Sequence, residues 1–438
     1  MGNLQKALQD QIANIPRMLL KKILVRKISE SGVEVPDKMI DSLVDNLLQG
    51  NTDTFLWNDG SVDEIHKELH LSFDDKDLAE LDVFMREMPE RIQSAIESTI
   101  EYGGKKLYQI LISDWPAYNE IDNIETSNFT DNLTERWGKG LSLLRMMLTV
   151  AREMGHEASK RYHRSKSKSH INRRFVLVRL HIRACQVADE IITLLENGFA
   201  DGAMARWRTL HEIDVVAAVI EDGDEELAQR YIDHEIIDQK KMIDDWDAKQ
   251  VPLGYKPVDI RTRKDVEQKY EEALRKYGSE FRNEYGWASQ HLNLKRPDFR
   301  AMQHASEQSG MSIYYKLANY NVHAGSRSMF VRLTDLGYDL PIAGRSNSGL
   351  LEPGQNTAFT LTRITAALLG RLRGLDRLIE VRALTMMRDA AQKALERADR
   401  RLQKDETKLR RDMASRKAKN LASPQPRSAK NNRKPPLD

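Results

Sequence analysis

The chain has 438 residues, with 68 Lys+Arg against 66 Asp+Glu and 40% hydrophobic content, a composition that forms cores and suits two or three units rather than one. Its single cysteine, Cys185, excludes an internal disulfide framework and a multi-thiolate zinc site, and it fits a reducing cytoplasm. No apolar run approaches the roughly 20 residues that cross a bilayer, and the N-terminus predicts no secretory signal. The balanced charge is unevenly spread: residues 397–438 hold 14 Lys/Arg against 5 Asp/Glu, or +9, which leaves the remainder at −7.

Taken in chain order, residues 15–28 read as an amphipathic helix with Met18, Leu19, Leu20, Ile23 and Leu24 among basic neighbours. It either lies on a membrane surface or packs with a second helix marked by Ile40, Leu43, Leu47 and Leu48. Gly2 is followed by Lys6 where the myristoylation pattern needs Ser or Thr. A Gly/Asn/Asp-rich break over 51–60 precedes a helix over 75–111, with Leu78, Leu81, Phe84, Met85 and Met88 at helical spacing. Pro116, Asn119 and Asn123 predict a loop, and Trp137, Leu141, Leu144, Met147 and Val150 a helix over 132–160. Residues 165–170 read as a linker.

The spacing predicts a helix over 171–197 closed by Gly198, then a second over 203–221 whose half from Val215 to Ile220 is apolar all round and therefore buried. Helices follow over 224–248, 262–277 and 312–323. Residues 335–356, rich in Gly and Pro, form the longest irregular stretch, and one long helix is expected from 357 to near 413, charged beyond Arg388. From 422 the chain is Pro-, Asn- and Lys-rich and too poor in apolar residues to repay its ordering entropy, so a disordered tail is expected. The fold class is all-α. The expected divisions are a small N-terminal helical unit (1–60), a helical connecting region (61–165), a central bundle (166–356), a long C-terminal helix (357–421) and a basic tail (422–438).

Chemistry concentrates in the central bundle. Arg208 and Glu212 lie one turn apart and interrupt the apolar stripe of Met204, Val215 and Val219. Charges so placed either pair structurally or hold a ligand. Arg230 and Tyr231 follow on the next helix. Tyr315, Asn319 and His323 recur every four residues, so His323 reads as a general acid or base oriented by Asn319, or else as a helix-end cap. Between 158 and 188 there is no acid, and Lys160, Arg161, Arg164, Arg173 and Arg174 head a basic run that is either a solvated face or a nucleic-acid contact. His156, His163 and His170 are seven apart, about 10.5 Å along a helix, too far for one ion. The chain contains no Gly-rich phosphate loop, Gly-x-Ser-x-Gly elbow or His-Glu-x-x-His motif. No cofactor or metal is implied.

The run from Gly198 through Arg208 and Glu212, then Arg230-Tyr231, then Asn319-x-x-x-His323, resembles an uncharacterised bacterial domain-of-unknown-function family over about 140–335. That family's pattern is an Arg-x-x-x-Glu helix, an Arg-Tyr pair and a Ser-x-x-x-His helix, with Asn319 here at the Ser position. The resemblance implies a helical fold, broadly like the HEPN superfamily, many of whose members are RNases of defence and toxin systems. The HEPN signature, Arg and His separated by four to six residues, occurs at Arg164/His170, Arg174/His181 and Arg206/His211, about as often as composition alone gives. The expected function is an RNA-directed, RNase-like defence or stress effector; the alternative is a non-catalytic helical interaction module that meets a protein partner through the C-terminal helix or tail.

Overall fold

The structure is a computed structural model that describes residues 6, 9–10, 12–50, 54–57, 69–164, 170–334, 342–370 and 374–422. Its regular elements over those residues are helical, with no strand. They comprise α1 (Ile15–Glu30), α2 (Asp37–Leu48), α3 (Asp75–Arg164), α4 (Ile171–Glu196), α5 (Ala200–Asp222) and α6 (Glu225–Asp233). The chain continues with α7 (Glu235–Lys249), α8 (Ile260–Tyr277), α9 (Phe299–Ala305), α10 (Ser312–Tyr320), α11 (Leu351–Leu369) and α12 (Leu375–Ala422). The fold is all-α. No helix among the described residues is long and apolar enough to cross a membrane.

The chain divides into two compact units, Met1–Asp122 and Asn123–Asp438, within α3. The later part of α3 supplies core to the larger unit through Leu133, Trp137, Leu144 and Met147. In the smaller unit, Leu24 and Ile28 of α1 pack on Ile40 and Val44 of α2, so the amphipathic face is covered by protein. Lys21 Nζ meets Asp41 at 2.7 Å and Lys27 Nζ meets Asp77 at 2.6 Å. The Lys27 hydrogen bond holds the Asp77 carboxyl down at about 2 despite its removal from water.

In the larger unit, the main core joins α3, α4, α5, α11 and α12 around Trp137, Ile191, Ile192, Trp207, Leu361 and Leu395. Both indoles of this core find an acceptor, Trp137 on Asn347 O at 3.1 Å and Trp207 on Thr360 Oγ1 at 3.1 Å. Val215, Ala217, Val219 and Ile220 are buried as their all-round apolarity requires. Gly198 ends α4 at φ +76°, and a Cβ there would meet the Phe129 ring at 2.6 Å.

Three boundaries differ from the sequence reading. Pro116 lies inside α3 instead of in a loop, because proline already holds a helical φ and its one lost backbone bond falls on an exposed stretch. The helix expected over 224–248 is two, broken at His234, whose buried ring donates from Nε2 to Asn283 O at 2.9 Å. The helix expected from 357 starts at Leu351 and is interrupted between Leu369 and Leu375. The remainder of the linker (165–169), part of the irregular stretch (335–341) and the tail beyond 422 lie outside the described residues.

Candidate functional site

The site is set by how α10 is laid on α5. Asp201, in the first turn of α5, accepts from Leu333 N and Thr334 Oγ1, both at 2.8 Å, and so anchors the chain that leaves α10. Met311, Tyr314 and Leu317 pack on the same core as Met204 and Trp207. This brings Tyr315 over Arg208 and Glu212, which α5 presents one turn apart.

Arg208 Nη2 donates to the Tyr315 hydroxyl at 2.9 Å, and that hydroxyl donates to Glu212 Oε1 at 2.7 Å. The Arg208–Glu212 ion pair closes the triangle at 3.1 Å, and the guanidinium lies 5.0 Å from the Tyr315 ring centroid. Both charged side chains keep a solvent face, 26% for Arg208 and 36% for Glu212. Burial, and then the Glu212 hydrogen bond, push the Tyr315 phenol up to about 12, so it is a neutral donor. Burial opposes the Arg208 charge, but the Tyr315 hydrogen bond and Glu212 outweigh it and raise its pKa. Tyr285 is also held neutral, by burial and then by Glu284, Glu212 and Tyr315. Arg208 Nε is buried and has no hydrogen-bond partner among the described residues. A part-exposed guanidinium can hold an anionic oxygen, and the part-exposed carboxylate beside it can accept a proton.

Beneath this triangle His211 is fully buried, stacked on Trp207 at 5.2 Å and flanked by Phe299 and Tyr315. Gln303 Nε2 donates to His211 Nε2 at 2.8 Å. Burial, reinforced by the Arg363 charge, pushes His211 down to about 4, so the ring is neutral core. One turn further, buried Asp214 meets Arg363 Nε of α11 at 3.1 Å; burial pushes its carboxyl up to about 7 against that attraction.

The other sequence-selected residues are placed differently. Arg230 is buried and donates to Trp287 O at 3.0 Å, Gln290 Oε1 at 3.2 Å and Gly286 O at 3.3 Å, so it organises the 286–290 turn and stands apart from the Arg208–Glu212–Tyr315 triangle. Asn319 lies one turn from Tyr315, and its Oδ1 is buried without a partner among the described residues. The His323 ring is exposed beyond the end of α10; its bond to Asn319 is a backbone one, N to O at 2.9 Å. Arg206 pairs with Glu190, so the signature pair Arg206/His211 splits between a surface bridge and the core.

The basic run also divides. Lys160, Arg161 and Arg164 are exposed at the end of α3, with Lys160 pairing Glu157 at 3.0 Å. Arg174 lies 5.3 Å from the Tyr162 ring. Arg173 is buried and donates to Gly223 O, so it ties α4 to the α5–α6 turn instead of facing an outside phosphate. The sequence leads one to expect a basic C-terminal helix but does not single out the stripe of α12, where Arg400, Lys404, Lys408 and Arg411 line a shallow surface groove. Their spacing of four, four and three is its signal. Tyr285 and Gln303 were also missed, since only the fold brings them near α5. Among the described residues, no group of three or more His, Cys, Asp or Glu is placed to hold a metal ion.

The architecture and this cluster define a helical-bundle protein with an Arg–Tyr–Glu triangle at the surface of its core. Residues 174–338 match the model of a family of unknown function (DUF5677), and this segment contains every member of the triangle. No curated protein and no solved structure matches the chain.

Proposed function

We propose that the chain is an RNA-directed, RNase-like effector of the kind that serves defence or stress responses, with Arg208, Glu212 and Tyr315 as its chemical centre. The observation that carries the reading is the Arg208–Glu212 pair, a guanidinium and a carboxylate 3.1 Å apart that both keep a solvent face. In the reaction, the Glu212 carboxylate takes the proton of a ribose 2′-hydroxyl. The 2′-oxygen then bonds to phosphorus, the 5′-oxygen leaves and takes a proton from water, and Arg208 stabilises the charge that builds on the phosphoryl oxygens. Tyr315 is a positioning residue that holds the two charges in register. Lys160, Arg161 and Arg164, together with the α12 stripe, supply sequence-independent attraction to the backbone. Asn319 borders the centre through its unsatisfied oxygen, and Arg230 supports it indirectly through the 286–290 turn. His323 lies exposed beyond Tyr320, where α10 ends, and this scheme gives it no part in the proton transfer.

The test is incubation of purified protein with end-labelled single-stranded RNA. Cleavage leaving 2′,3′-cyclic phosphate ends, lost in Glu212→Gln with binding retained, supports the reading. Binding without cleavage by the wild type overturns it in favour of the non-catalytic interaction module. That alternative draws on Arg230 and Arg173, whose charges are spent on backbone carbonyls inside the fold.

A further inference from the structure

The first unit carries an apolar helix face that is open in the single chain. Along α3, Leu107, Leu111, Trp115, Tyr118 and Ile121 recur at steps of three and four with Tyr108 beside them, and each is at least half exposed, from 50% for Leu107 to 66% for Tyr108. Single exposed apolar residues are ordinary; a continuous stripe of large ones marks an interaction surface. At about 100 Å² of exposed side chain each, these six offer roughly 600 Å² per copy, and about 1,200 Å² across a pair before Ile100, Ile110 and Ile112 are added. That reaches the size of stable protein interfaces.

The order of small and bulky residues selects the occupant, since Lys105 before the apolar centre is already paired with Glu101 at 2.8 Å. With Leu111 at the centre, antiparallel pairing places Leu107 opposite Trp115 and Gly104 opposite Tyr118. Gly103 and Gly104 have nothing within 4 Å of where a Cβ would stand, which leaves room for the bulky ring. The face is thus complementary to itself under a two-fold axis, the condition for an isologous dimer.

We propose that residues 100–121 of α3 pair antiparallel with the same segment of a second copy of this chain, and that the protein is a homodimer through this face. The full-length protein is weighed by sedimentation equilibrium at micromolar concentration. The wild type is expected at twice the 50.4 kDa chain mass, and Leu111→Glu/Trp115→Glu at the single-chain mass with unchanged helical circular dichroism. A wild type that stays at the single-chain mass, or a double variant that remains paired, overturns the proposal. The direction is read by mixing Gly104→Cys and Tyr118→Cys proteins under mild oxidation, the native Cys185 being buried. A covalent dimer in the mixture and in neither protein alone supports antiparallel pairing. A covalent dimer from Gly104→Cys alone contradicts it.

Discussion

The Tyr315 hydroxyl both accepts from Arg208 and donates to Glu212, and the two charges also touch directly at 3.1 Å. Tyr315→Phe therefore leaves the ion pair in place and is expected to cost only about 1 kcal/mol of unfolding free energy by denaturant titration. A loss above about 3 kcal/mol would show the phenol to be a structural keystone instead of a positioning group. The pH dependence rests on three buried groups. His181 and His211 are pushed down to about 4 by burial, so between that value and the unfolded 6.5 only the unfolded chain takes up their protons. Their stabilising contribution is complete above about pH 6.5 and is lost as pH falls towards 4. Asp214 acts in reverse: burial pushes it up to about 7, against an unfolded 3.8, so its contribution is complete below about 4 and is lost as pH rises to 7. Asp214→Asn is expected to remove that second loss, up to about 4 kcal/mol between the two extremes. Parallel pH–stability curves for wild type and variant would contradict the assignment. At this scale the sequence reveals Arg208 and Glu212, because charges on an apolar stripe are conspicuous. It conceals the structural duty of Arg230 and Arg173, whose acceptors are backbone carbonyls that only tertiary structure supplies.

At the scale of helices, a test lies where α3 crosses α4. A Cβ on Gly155 would stand 2.5 Å from the His181 ring, which is itself held by Thr365 Oγ1 at 3.1 Å. Gly155→Ala gains about 1 kcal/mol of helix propensity but forces that contact apart. The expected net result is a loss of about 1–2 kcal/mol in chemical denaturation; a gain would show that the ring moves freely. Helix existence was legible wherever apolar spacing was strong, as over 171–197 and 203–221. The continuity of α3 through Pro116 and the break at His234 were not, because one depends on solvent meeting a lost backbone bond and the other on a distant carbonyl.

For the molecule as a whole, net charge conceals function more than it reveals it. A formal +2 hides a stripe of Arg400, Lys404, Lys408 and Arg411 on α12 and an exposed cluster at Lys160, Arg161 and Arg164. Reversing the four α12 cations to Glu is expected to weaken binding to single-stranded RNA by at least tenfold and to flatten its dependence on salt, read by fluorescence anisotropy over a salt series. Unchanged affinity and slope would remove α12 from the RNA path. The all-α class follows from periodicity. The division of the chain inside α3 does not, because a continuous helix leaves no compositional break to read.

The most direct test is induced expression in bacteria of wild type, Arg208→Ala and His323→Ala at matched soluble levels, with growth followed and total RNA run on a gel. Growth arrest with RNA degradation by wild type and His323→Ala, both abolished in Arg208→Ala, is the expected result, since Arg208 lies in the triangle and His323 outside it. Arrest and degradation that persist in Arg208→Ala would contradict the account.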